Sequence, residues 1–398
     1  MTIKTDNMYN FDKFVDRRGT GAFKYERMDR VFGRKDIQPL WVADMEFETP
    51  DFIVEALRKR LGHPVFGYPI TPDEFAPAIV KWEKDRHGWD IREEWIDFVP
   101  GIVKGIGMAV RAMLEPGEKV VIQPPVYHPF RLVPQACGHE VVFNPLIRQT
   151  DGSYVMDLEG LDGILSGDGS CKMLILCNPH NPAGIVWSKD TLASLAAICK
   201  RHGVLVISDE IHCDMALFGH RHIPFASVNE EACQNSITFA APSKTFNVAG
   251  IVSSHAIVPN KELRSRFFDW MEACELNAPD IFAPMATIAA FTKGEPWRQE
   301  LVKYLENNVL AVEDFCRTRL PEIKPLRPQA SFLVWLDCRG LGLSQKDLVH
   351  LFVDKAGIGL NDGSVFGKEG IGYMRLNIGA PKAFVLEALE KLEKAVRE

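Results

Sequence analysis

Several things are scarce in these 398 residues. There is no basic block: 46 Lys+Arg stand against 53 Asp+Glu, spread along the chain, for a net charge of −7. Without that electrostatic footprint no nucleic-acid partner is expected. No uninterrupted apolar run reaches the roughly 18 residues that a membrane helix needs, and the opening Met1-Thr2-Ile3-Lys4-Thr5-Asp6 has no apolar signal core. The expectation is a soluble cytoplasmic chain with no membrane partner. The nine cysteines are odd in number and scattered, with no Cys-x-x-Cys pair, which suits reduced thiols better than disulfides or a zinc site. Internal repeats and low-complexity tracts are lacking as well.

What is present is enough apolar material, 46% of residues, to fill two or three cores at this length. The middle of the chain alternates apolar runs with helix-period stretches, the pattern of a parallel sheet covered by helices. Strands are expected at 119–123, 140–144, 173–177, 204–208 and 236–241. Between two of them Leu192, Leu195, Ala196 and Cys199 fall on one helical face, with Ser188 as cap and Gly203 as stop. From about Trp297 the pattern changes to that of a small α+β unit: a helix at 297–319, strands at 331–336 and 373–378, helices at 344–356 and 382–396, and a Gly-rich loop at 357–372. Tyr9, Phe11, Phe14, Phe23 and Tyr25 mark an N-terminal arm. The expected division is an arm and small-domain segment (1–48), a large domain (49–288) and a small C-terminal domain (289–398).

In open parallel sheets ligands collect beyond the carboxyl ends of the strands. Tyr127 follows the strand at 119–123, Asn178 and Asn181 follow 173–177, Asp209 ends the apolar "VLVISD", and Ser243-Lys244 follow 236–241. A buried carboxylate is costly unless a cation meets it. Two readings stand. Asp209 and Lys244 form a buried ion pair, or Lys244 forms an imine with an aldehyde cofactor while Asp209 keeps that cofactor's ring nitrogen protonated, as pyridoxal 5'-phosphate requires. On the second reading Asn181 bonds the phenolic oxygen and Tyr127 lies against the ring. Gly101 precedes a helix starting near Ile102, so the free amides of Ile102 and Val103, with the Ser243 hydroxyl, offer a phosphate site. His212, His220 and His222 are set aside as metal ligands. His212 is expected to support Asp209 by a hydrogen bond, and His128, His180 and His255 receive no role.

"NPHNPAG", "SDEIH", "SKTFNVAG" and "MRLNIG", in that order, resemble the fold type I pyridoxal-phosphate enzymes of the aspartate aminotransferase superfamily. "WVADMEF", "FGYPITP" and "ASFLVWLDCRGLG" further resemble its MalY/PatB group of carbon-sulfur β-lyases, and the similarity runs over nearly the whole chain. The resemblance implies Lys244 as the Schiff-base lysine, Asp209 as the pyridinium partner, Asn181 as ligand of the phenolic oxygen and Tyr127 as the stacked ring. It implies Arg375 as the clamp on the substrate α-carboxylate, a role that suits a guanidinium fork, with the backbone near Ala43 and Asp44 beside it. It implies a homodimer in which Tyr68 reaches the neighbouring subunit's phosphate.

One departure is informative. Many aminotransferases of the superfamily carry a phosphate-binding arginine eight residues after the lysine, and here that position is Val252. The expected activity is cleavage of cystathionine or another S-substituted cysteine to pyruvate, ammonia and a thiol. An aminotransferase needing a keto-acid acceptor is the alternative, and a cofactor-bound protein acting by regulatory contact is a third, since fold alone does not fix function.

Overall fold

The computed structural model describes residues 8–398, so the reading of the opening residues falls outside it. Its centre is a seven-stranded sheet built from β2 (Ile96–Val99), β3 (Lys119–Ile122), β4 (Val141–Phe143), β5 (Cys171–Cys177), β6 (Leu205–Asp209), β7 (Ser236–Ala240) and β8 (Ser254–Ile257), while β1 (Gln38–Pro39) lies elsewhere. The order across the sheet is β2-β8-β7-β6-β5-β3-β4. All neighbours are parallel except β8, which runs antiparallel to both β2 and β7. The sheet is therefore mixed but mostly parallel, with its central strands buried along their length, as continuous apolar runs require.

Helices cover both faces. Lys189–Arg201 begins at the expected cap, where Ser188 Oγ accepts the Thr191 N–H at 3.1 Å, and ends before Gly203 at φ +64°. The C-terminal part forms a second, four-stranded antiparallel sheet of β9 (Lys324–Leu326), β10 (Leu333–Asp337), β12 (Asn361–Asp362) and β13 (Tyr373–Asn377), in the order β9-β10-β13-β12. The helices Glu295–Arg319 and Lys382–Arg397 pack beside it. The expected Gly-rich loop thus holds β12 and, before it, β11 (Ile358–Gly359), which pairs in parallel with β1.

The N-terminal arm packs on its own chain. Phe11 meets Phe47 at 5.0 Å and Trp297 at 5.5 Å between ring centroids, and Phe14 meets Phe384 at 5.3 Å. All nine cysteines are free, and among the described residues no helix is long and apolar enough to cross a membrane.

Candidate active site

The central parallel strands are in step: Cys177 pairs with Asp209, and Asp209 with Phe239. Their carboxyl ends are therefore level, and the residues that follow share one rim. Together with the start of the helix Ile102–Met113, they enclose a cavity of about 260 Å³ lined by Gly101, Ile102, Val103, Tyr127, Asn181, Asp209, His212, Ser243 and Lys244, with Ala43 from the arm. Asp44, Arg375 and Tyr68 do not line it.

Asp209 and Lys244 face this cavity without pairing. The Lys244 ammonium donates to the Ala43 carbonyl at 2.6 Å, and one Asp209 oxygen accepts the Ile211 N–H at 3.1 Å. The simple buried ion pair is therefore not formed. Burial pushes the Asp209 carboxyl up to about 7, only partly offset by the Ile211 amide and Lys244. Burial also draws Lys244 down to about 8, with Asp44 opposing and Arg375 adding to the shift. Both shifts run toward the neutral form, the direction expected where a ligand, not the partner side chain, completes the charge balance.

The segment carrying Lys244 is fastened by Asn247, whose left-handed φ of +54° an asparagine tolerates. Its amide donates to the Met45 and Phe47 carbonyls at 3.0 and 2.7 Å and accepts the Met45 N–H at 2.9 Å. Gly101 takes φ +98°, and a Cβ there would sit 3.1 Å from Val252, so backbone lies bare at the helix start. The first-turn amides have no intrahelical acceptor, and the Ser243 hydroxyl has no partner among the described residues. Lys104, in the first turn of the helix, also lines the cavity.

Arg375 stands one layer back on β13, fully buried. It donates to Asn181 Oδ1 at 3.0 Å and Asn361 Oδ1 at 2.6 Å, while its Nε has no partner. Burial brings it down to about 10. Asp44 is committed elsewhere: its carboxylate pairs with Arg17 and Lys24 at 2.7 and 2.8 Å, and its carbonyl accepts from Lys24 and Asn377. Burial opposes its charge, but the two cations hold it at about 2. Its backbone N–H is taken by Val42, so of the expected pair only Ala43 is open to a substrate.

The expected bond from His212 to Asp209 is not made. The imidazole lines the cavity with Nδ1 unpartnered, lies edge-on to Phe332 at 6.1 Å, and is held neutral by burial at about 3. The earlier histidine trio does not converge either, because His222 bonds Glu210 at 2.7 Å. Tyr68 is fully exposed, at 107%, on a segment that also exposes Val65, Phe66 and Ile70.

Sequence reasoning missed Lys104, Asn247, Asn361 and the buried group of Lys24, Arg17, Glu46 and Tyr25. Lys24 donates to Glu46 at 2.6 Å and to the Asp44 carbonyl at 2.8 Å, which fixes the turn that presents Ala43. The only sequence signal was the proximity of Asp44 and Glu46 to an arm rich in cations.

Residues 35–392 match the family described as aminotransferase class I and II. The chain is 43% identical over 387 residues to cystathionine β-lyase PatB of Bacillus subtilis, covering 97% of this chain and 100% of that protein. It is 34% identical to protein MalY of Escherichia coli, covering 98% and 99%. Cystalysin from Treponema denticola, solved with pyridoxal 5'-phosphate, superposes with a TM-score of 0.94 at 34% identity, covering 98% of this chain and 99% of that one. With its family-wide match, its mostly parallel sheet and its strand-end cavity, the chain belongs to the aminotransferase class I and II family.

Proposed function

We infer that the protein is a pyridoxal-phosphate-dependent carbon-sulfur β-lyase that converts cystathionine or another S-substituted cysteine to pyruvate, ammonia and a thiol. The observation that carries this is the pair Asp209 and Lys244, unpaired across one cavity, in a chain whose near-full-length relatives include a cystathionine β-lyase.

The residues fit the cofactor. Asp209 offers a buried carboxyl with one oxygen unpartnered, suited to a protonated ring nitrogen. Asn181 and Tyr127 offer an amide and a ring face, and the amides of Ile102 and Val103 with Ser243 and Lys104 offer an anion site. Lys104 lines the same cavity as Val252. When bound, the cofactor supplies an electron sink for the bond to Cα, and Lys244 anchors it.

The chain's own groups do the rest. The Arg375 guanidinium, with its free Nε, and the Ala43 N–H hold the α-carboxylate and turn Cα–H toward Lys244. The lowered basicity of Lys244 suits it to take that proton. The Cβ–S bond then breaks with its electron pair leaving on sulfur as thiolate, and water converts the three-carbon remainder to pyruvate and ammonia. Tyr68, fully exposed and outside the lining of its own cavity, fits a homodimer in which it completes the phosphate site of the other copy.

Purified protein is expected to form pyruvate from cystathionine with no keto acid present. Strict dependence on an added keto acid would make it an aminotransferase instead, and negligible turnover by either route would favour the regulatory alternative. Lys244→Ala should lower turnover by roughly a thousandfold, the scale of a lost general base.

A further inference from the structure

A second cavity, of about 560 Å³, abuts the first. Tyr127 lines both. The loop 363–369 closes its far side, held by the Val126 N–H donating to the Phe366 carbonyl at 2.9 Å. Phe366 lines the cavity and carries the Arg375 guanidinium over its ring at 4.9 Å, so this space begins beside the group that would hold the substrate α-carboxylate. Gly367 permits the approach: its φ is +128°, and a Cβ would lie 2.9 Å from Pro124 and 2.7 Å from the Glu369 carboxylate.

The walls combine two chemistries. Ile122, Val126, Phe143, Val365 and Phe366 are apolar, whereas Arg131, Lys368 and Glu369 bring two cations and one anion. None of these three has an ion-pair partner among the described residues, although the chain pairs many of its other surface charges. His128 lines the same cavity with Nδ1 buried and unpartnered. Opposite charges around an apolar stem match a ligand end that is itself zwitterionic. A plain alkyl or aryl thioether would leave the charges unused.

We propose that this cavity is the subsite for the departing half of the substrate, and that it selects thioethers whose thiol half is an amino acid. Arg131 and Lys368 meet the distal carboxylate, and Glu369 meets the distal ammonium, while the methylenes beyond sulfur run along Val126 and Phe366. The assignment rests on the β-lyase reading for its chemistry, but not for its binding.

The holoenzyme is compared with Arg131→Met, Lys368→Met and Glu369→Gln on cystathionine and on S-ethylcysteine, which has the same reacting end and no distal charges. Each variant should lose about tenfold in kcat/KM for cystathionine, the usual cost of one charged contact, through KM. S-ethylcysteine should change by less than about twofold, within the noise of a surface substitution. Equal losses on both substrates, or none on either, overturn the subsite. Binding of 2,7-diaminosuberate, in which a methylene replaces the sulfur, is measured against norleucine in the same proteins. If no thioether is cleaved but the variants still weaken diaminosuberate selectively, the β-lyase reading fails and the subsite stands. If diaminosuberate and norleucine respond alike, the subsite fails whatever the reaction.

Discussion

Asp209 is the side chain on which the proposed chemistry turns, and its charge is a liability until something positive arrives. Burial raises its folded value to about 7, against about 3.9 in an unfolded chain. A carboxyl raised on folding contributes stability below the unfolded value and loses it as pH rises through the folded one. Cofactor-free protein should therefore weaken between about pH 4 and 7 from this group. Asp209→Asn, with no proton to release, should gain on wild type in thermal melts over that window. A difference independent of pH would show that the carboxyl is not perturbed in this way. With cofactor bound the ranking at neutral pH should reverse. At this scale the motif residues were legible: Lys244, Asp209, Asn181 and Tyr127 follow apolar strands, and polar groups there need a reason. Lys24 was not, because nothing in "FKYE" distinguishes a fully buried lysine from a solvated one until Glu46 is folded against it.

Among the elements, the central strands were readable because strands buried on both faces are unbroken apolar runs. β2 and β8 escaped for the opposite reason. "IDFV" and "SHAI" are short and interrupted by Asp97, Ser254 and His255; Asp97 accepts from Phe98 and Asn277, Ser254 bridges Val99 and Gly101, and the His255 ring is buried with neither nitrogen partnered. The helix Ile102–Met113, which presents its amino end to the cavity, lies so close to the sheet that a Cβ on Gly105 would come within 2.7 Å of Val99 and 2.9 Å of Phe239. Gly163, inside the helix Leu158–Leu165, has open space around it. Two identical substitutions should then have opposite signs. Gly163→Ala should stabilise by about 0.5–1 kcal/mol through helix propensity. Gly105→Ala should destabilise by about 1–3 kcal/mol, because crowding in a packed core outweighs that gain. Urea titration of both would decide it, and matching signs would refute the close approach.

For the whole molecule, the segment from 61 to 70 leaves Leu61, Val65, Phe66, Tyr68 and Ile70 exposed, an apolar surface that suits a second copy of the chain. On the proposed homodimer, Phe66→Glu should shift sedimentation from dimer toward monomer and weaken cofactor retention together, since Tyr68 would be withdrawn from the site it is proposed to complete. A dimer that survives with full retention would place the interface elsewhere. The architecture has a further consequence, for the order in which the protein is made. The stretch that presents Ala43 is held by late parts of the chain: Gln38 and Leu40 bond Gly357 and Gly359, Asn377 bonds Leu40, and Glu46 bonds Gly379. Residues 38–46 thus complete these bonds only once residues 357–379 have been made. A nascent chain stalled before residue 357 would hold this turn only through Lys24 and Asn247, without the backbone bonds to β11 and β13 that complete it.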